Sequence, residues 1–212
     1  MPGPGTLDFS LADANVRRNV AREAAILLYF GIEEEYRQAK LRAAKTLGVH
    51  FLPTNLEVAM ELDRIAEENE GAARLERLVK MRKEALNLMK ILKNFSPLLV
   101  GSVWRGTIYR GSDIDIIAYH NEPHEILKLL EKKFRILECG WTAVTKRGEP
   151  KKSFHIILEL PGGEKAEITV RNVEELGVKE TCEIYGDKIS GLSIHELEKV
   201  LLENPTKRFV PF

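Results

Sequence analysis

Cysteine is scarce in this chain. Cys139 and Cys182 are too few for a disulfide framework and too far apart for a Cys-x-x-Cys metal pair, so a reducing compartment suits them. Glutamine is scarcer still, with Gln38 alone. Long apolar runs are missing: Ala24–Phe30 is far short of the ~20 residues that span a bilayer, and no signal-peptide pattern precedes it. Excess charge is missing as well. Lysine plus arginine and aspartate plus glutamate each count 32, so the net charge is zero. That removes the bulk electrostatic footprint of a nucleic-acid binder and leaves room only for a local basic patch. There is no internal repeat and no low-complexity tract. The expectation is a cytoplasmic protein with no membrane partner.

What is present reads as globular. The 212 residues are 44% hydrophobic and 7% aromatic, enough for one large domain or two small ones. Charged residues reach 30%, above the usual quarter, and with one glutamine this is a composition of hyperthermophile proteins. Met1–Gly5 reads as a frayed end. From Asp13 to about Leu47 helix formers dominate, punctuated by Gly31 and Gly48. Pro53-Thr54-Asn55 opens a third helix capped by Thr54 or Asn55, with Leu56, Met60 (or Ala59), Leu62 and Ile65 at helical spacing. Gly71 breaks it, and a fourth helix at about 72–93 carries Leu75, Leu78, Ala85, Met89 and Leu92 in one stripe. Six acids and one base in Asn55–Glu70 face seven bases and two acids in Gly71–Asn94, which predicts two solvated faces that pair with each other.

After Pro97 the pattern changes. Leu98–Val100 is a short apolar run, Ile114–Tyr119 a strand, and Pro123–Lys132 a helix. Strands are predicted at Arg135–Thr145, Ser153–Leu160 and Lys165–Val170, the last two joined by a Pro161-Gly162-Gly163 turn. Ser193 and Glu196 form a capping box that opens a last helix at about 193–203. The fold class is α+β: an N-terminal helical region over 1–70, then a unit over 71–212 with its core at about 96–171.

The chemistry concentrates between Leu98 and His120. Asp113 and Asp115 stand two apart at the head of a strand, so their side chains share a face while Ile114 and Ile116 take the other. Carboxylates this close repel unless a cation sits between them, and Mg²⁺ takes one or two carboxylates together with substrate phosphates. Gly101-Ser102 ends the preceding run with a backbone and a hydroxyl suited to phosphate, and Arg105 could add charge-assisted bonds.

Gly101-Ser102, then Gly111-Ser112-Asp113-Ile114-Asp115, resembles the signature of the DNA polymerase β-like nucleotidyltransferase superfamily; Arg105-Gly106-Thr107 matches a form common among its small members. The resemblance covers about 96–171 and implies a mixed sheet flanked by helices, two metal ions and a third carboxylate on a neighbouring later strand. Glu159 and Glu167 are the candidates there, where the family usually has Asp. A three-residue turn pairs Leu158 with Ala166, Ile156 with Ile168, Ile157 with Glu167 and Glu159 with Lys165. Glu159 is then one member of a surface ion pair, whereas Glu167 has no charged mate. The strand–turn–strand order also resembles CCA-adding enzymes, whose third carboxylate opens the strand after such a hairpin. Glu167 is therefore the expected third ligand.

The resemblance implies that Asp113, Asp115 and Glu167 hold two Mg²⁺ (or Mn²⁺) about 3.5–4 Å apart. It further implies that a nucleoside triphosphate would bind at Gly101, Ser102, Arg105 and Ser112, and that its nucleoside monophosphate would pass to a hydroxyl of RNA, protein or a small molecule with release of pyrophosphate. His155 shares the polar face with Glu167 and stays outside the catalytic set; Trp104 either stacks on a base or belongs to the core. Lys146-Arg147 and Lys151-Lys152 flank a Gly-Glu-Pro turn that reads first as a solvated hairpin tip. Apolar Phe209, Val210 and Phe212 dock on the body or on a second copy in a homo-oligomer. Two other readings stay open: a catalytically weakened module that binds nucleotide or a partner for regulation, and a nucleic-acid binder using the basic helix Gly71–Asn94.

Overall fold

Alanine sets the spacing of the N-terminal helices. In the computed structural model, which describes residues 6–146 and 149–211, α1 (Thr6–Tyr29) and α2 (Tyr36–Thr46) bury Ala21, Ala24 and Ala25 with Ala39, Ala43 and Ala44 in one core. Small side chains let helix axes approach closely. α1 begins earlier than its sequence pattern predicts. Residues 32–35, expected to be helical, are not: Gly31 turns left-handed (φ 67°), and the N–H groups of Ile32 and Glu33 both donate back to Leu27 O. These helices belong to a unit made of the chain up to Arg74 with Tyr109–Gly111 and Cys182–Gly186.

α3 (Asn55–Ile91) carries a break inside it: Gly71 has φ 51° and ψ −134°. Thr54 is its cap, its Oγ1 accepting from Glu57 N at 3.2 Å while Glu57 Oε2 accepts from Thr54 N at 2.6 Å. The two charged stretches do not mainly neutralise each other. Glu57 pairs with Arg17, Glu61 with Arg18 at 2.9 Å, and Glu68 with Arg22 at 2.8 Å, all on α1. Beyond Gly71, Arg74 turns back to Asp63 and Glu67, but Lys80 and Lys90 pair with Glu164 and Glu198. Leu75, placed in the apolar stripe, is 45% exposed.

The second unit comprises Leu75–Ile108, Ser112–Thr181 and Asp187–Phe212. Its elements are β1 (Leu98–Val100), α4 (Gly101–Arg105), β2 (Ile114–Tyr119), α5 (Pro123–Glu131), β3 (Arg135–Lys146), β4 (Glu149–Glu159), β5 (Lys165–Arg171) and α6 (Ile194–Glu203). The strands form one mixed sheet in the order β1-β2-β5-β4-β3, with β2 and β5 parallel and the other neighbours antiparallel. Ile114, Ile116, Ala166, Ile168, Ile156 and Leu158 line one face and join Leu78, Met81, Leu88, Leu92, Ile126, Leu130 and Leu197 from the helices in a single core. The fold is α+β, N-terminal helices followed by a mixed five-stranded sheet with helices.

The hairpin register follows the period-two pattern. Ile156 faces Ile168, Ile157 faces Glu167, Leu158 faces Ala166 and Glu159 faces Lys165, around a turn in which Gly163 is left-handed (φ 84°). β3 and β4 run further than expected. Pairing continues through Thr145–Pro150 and Lys146–Glu149, so strand replaces most of the anticipated loop; Arg147 and Gly148 lie outside the described residues. Pro150 is tolerated because β5 pairs with β4 only from Phe154 onward, leaving Pro150 with a single neighbouring strand. The Ser193–Glu196 capping box opens α6. Among the described residues no helix is long and apolar enough to cross a membrane.

Glu57 makes the helical unit sensitive to acid. The bidentate Arg17 guanidinium, first, and the Thr54 hydrogen bonds hold its carboxyl down at about 2, against an ordinary 4.5. This stabilisation is fully present above 4.5 and is lost as pH falls through about 2, because the unfolded chain takes up the proton first. Wild type is expected to melt above Glu57→Gln near neutrality, and the gap between their unfolding midpoints, followed by circular dichroism, to close as pH is lowered toward 2.

Candidate active site

Parallel pairing of β2 with β5 places Asp115 directly opposite Glu167. Neighbouring strands lie about 4.8 Å apart, and opposed residues share a face. Asp113 lies two residues before Asp115, immediately ahead of β2. The three predicted carboxylates thus gather on the face opposite the core. Asp115 is half-buried, and burial is the main reason its carboxyl is pushed up to about 7; the charges of Glu167 and then Asp113 push the same way. Asp113 is raised too, first by desolvation, with Glu167 and Glu164 adding to it and Lys165 opposing.

Gly101 touches this cluster. It is left-handed (φ 69°), and a Cβ there would lie 1.8 Å from Asp115 Oδ2. The register explains the contact, because Val100 pairs with Asp115 and the chain turns into α4 at the next residue. Asp115 therefore occupies the space that glycine leaves open. Ser102 is half-buried beside it, and Ser112, next to Asp113, is buried.

Arg105 departs from the expectation. Only 3% exposed, it donates to Asp187 Oδ1 and Oδ2 at 2.7 and 3.1 Å and to Phe209 O at 2.9 Å. Its guanidinium lies 4.4 Å from the ring centre of Trp104, which is a core residue. A bidentate partner and a carbonyl use the fork that a phosphate would need. Arg82, which the sequence reading passed over, works alongside. It is fully buried and donates to the carbonyls of Val103, Trp104, Pro205 and Lys207 at 2.7–3.1 Å. Burial lowers its pKa to about 10. The signal was there: position 82 falls between Leu78 and Ala85 in the buried stripe. Phe209 stacks on Trp104 with centroids 6.4 Å apart, so the C-terminal tail docks on this chain's own unit; Phe212 lies outside the described residues.

Glu159, the rival third carboxylate, faces Lys165 and pairs with Arg135 at 3.2 Å. Glu167 instead accepts from His155 Nδ1, while His155 Nε2 meets Ser153 Oγ at 2.7 Å. As placed, no three His, Cys, Asp or Glu side chains among the described residues already converge on one ion. The donor set nevertheless suits Mg²⁺. It consists of hard carboxylate oxygens, and Asp115 is a half-buried acid whose ionisation a cation would restore. The basic hairpin tip cannot be assigned a contact, since Arg147 and the side chains of Lys146 and Lys151 lie outside what is described.

Residues 78–171 match the family model described as a nucleotidyltransferase domain. That segment is less than half of the chain. No curated protein matches the chain. Among solved structures, Cid1 in complex with the UTP analogue UMPNPP is similar at 16% identity and a TM-score of 0.32, covering 56% of this chain and 38% of that one. The MgGTP-bound Cid1 poly(U) polymerase is similar at 16% identity and 0.30, covering 52% and 38%. A cytoplasmic RNA terminal U-transferase is similar at 15% identity and 0.27, covering 55% and 34%. The chain thus spans little more than a third of those proteins' length.

Gly101→Ala tests the contact between the turn and Asp115. A methyl group 1.8 Å from Oδ2, on a backbone at φ 69°, must displace either the turn or the carboxylate. Any nucleotidyl transfer at this site is expected to fall about a hundredfold, since a shift of about 1 Å can cost that much. Unchanged activity would show that this contact is dispensable.

Proposed function

We propose that this protein is a metal-dependent nucleotidyltransferase that moves a nucleoside monophosphate from a nucleoside triphosphate to a hydroxyl acceptor and releases pyrophosphate. The observation that carries the reading is the opposition of Asp115 and Glu167 on adjacent parallel strands, with Asp113 beside them and Gly101 against Asp115 Oδ2. The family match over residues 78–171 supports the reaction class.

Asp113, Asp115 and Glu167 would hold the Mg²⁺ ions, which supply charge neutralisation at the phosphates and a more acidic acceptor hydroxyl. The backbone at Gly101-Ser102, with the hydroxyls of Ser102 and Ser112, would orient the triphosphate. The acceptor oxygen then attacks the α-phosphorus in line, and the bond from that phosphorus to the bridging oxygen of the pyrophosphate breaks. Arg105 is left out of substrate binding, since Asp187 and Phe209 O already engage its guanidinium. RNA, a protein hydroxyl and a small molecule are the acceptor classes the reading leaves open.

A second reading has its own support. Glu167 stands where Asp is usual in the resembling family, and its carboxylate already accepts a hydrogen bond from His155. That arrangement suits a regulatory module that binds nucleotide without turnover.

Label transfer separates the two. The protein is incubated with each α-labelled nucleoside triphosphate, Mg²⁺ or Mn²⁺ and total RNA from the source cell, beside an Asp113→Asn/Asp115→Asn double variant. Label on RNA or on the protein is expected, and the double variant is expected to lose it by about a thousandfold, several kcal/mol of transition-state stabilisation. Triphosphate binding without transfer to RNA, to protein or to a panel of small hydroxyl acceptors would favour the regulatory reading.

A further inference from the structure

We propose that His155 is a positioning residue that holds the Glu167 carboxylate in place for metal binding; this rests on the reading of Glu167 as the third ligand. His155 lies on β4 one position diagonal to Glu167, because Ile157 is directly opposite Glu167 and His155 is opposite Thr169. Its Nδ1 contacts Glu167 Oε1. An ionised carboxylate only accepts, so Nδ1 carries the proton and donates. That leaves Nε2 as acceptor for the Ser153 hydroxyl at 2.7 Å. Ser153, His155 and Glu167 thus form one hydrogen-bonded line that ends beside Asp115.

Two further observations make this more than a surface contact. Across the β3–β4 pair the residue opposite His155 is Gly140, and a Cβ there would meet nothing within 4 Å. No β3 side chain directly opposite wedges the imidazole, so hydrogen bonds hold it. Glutamate also has one more rotatable bond than the aspartate usual at this position in the resembling family. An extra anchor is what a longer ligand needs in order to present one defined carboxylate geometry. Glu167 with His155 is then a matched pair: the histidine restricts the freedom that the added methylene introduces.

The test is Mn²⁺ binding, read from loss of the free-ion electron paramagnetic resonance signal, with transfer kinetics measured in parallel. His155→Ala is expected to weaken Mn²⁺ binding about tenfold, the scale of removing an outer-shell partner. His155→Gln, which keeps an N–H donor, should recover most of the loss. In a Glu167→Asp background, where the shorter side chain no longer spans to position 155, His155→Ala should cause no further loss. Unchanged affinity in His155→Ala, or an equal loss in both backgrounds, would overturn the proposal. Should His155→Ala fail to fold, His155→Leu, similar in bulk and without a donor, replaces it with the same expectations. Asp113→Asn/Asp115→Asn serves as the reference. If it abolishes Mn²⁺ binding while His155→Ala does not weaken it, only the positioning role fails. If it also leaves Mn²⁺ binding intact, the metal-site reading fails and the proposal with it.

Discussion

Two acidic side chains face each other across a parallel strand pair, and much of the second unit is arranged to make that tolerable. A parallel pair needs a long crossover connection, and here α5, β3 and β4 lie between β2 and β5. The apolar residues at alternate positions of both strands pin the register: Ile114, Ile116, Ala166 and Ile168 enter the core. A slip of one residue would bury the carboxylates and expose the isoleucines. The same register that builds the core therefore brings Asp115 to Glu167. The consequence is an electrostatic burden, visible in an Asp115 carboxyl raised to about 7 by burial and by its two acidic neighbours. Such perturbed groups in a half-open site are where a binding or catalytic role is to be sought.

The turn that meets Asp115 is held by arginines. Arg82 donates to two carbonyls of α4 and to two of the C-terminal tail, and Arg105 joins the end of α4 to Asp187 and Phe209. A helix of five residues has little stability of its own, and its last carbonyls lack partners within it. Guanidinium donors supply those partners. The short α4 and the tail are thereby tied to α3 through Arg82, so the position of Gly101 against Asp115 is fixed by a buried hydrogen-bond network.

Much of this arrangement was legible in the sequence where short-range rules apply. A period-two pattern and a three-residue turn were enough to set the β4–β5 register, and with it the face that Glu167 shares. The break at Gly71 and the Ser193 capping box were legible for the same reason, since both are local backbone chemistry. The misses are tertiary. Arg105 carries the same charge whether it meets a phosphate or Asp187, and nothing between positions 105 and 187 announces that pairing. The acids of α3 are drawn to Arg17, Arg18 and Arg22 because α1 lies beside them, a neighbour that charge counting along one helix cannot see. Likewise His155 was placed on the right face, but its contact with Glu167 depends on side-chain directions that alternation alone leaves open.

Asp113, Asp115 and Glu167 are proposed to hold divalent cations together while a triphosphate lies on the Gly101-Ser102 turn. A crystal grown with Mn²⁺ and a non-hydrolysable nucleoside triphosphate, with data collected at the manganese absorption edge, tests it most directly. Anomalous peaks are expected bonded to Asp115 and at least one of its two acidic neighbours, with the β- and γ-phosphates against residues 101 and 102. Manganese and triphosphate bound elsewhere, with the three carboxylates bare, would contradict it.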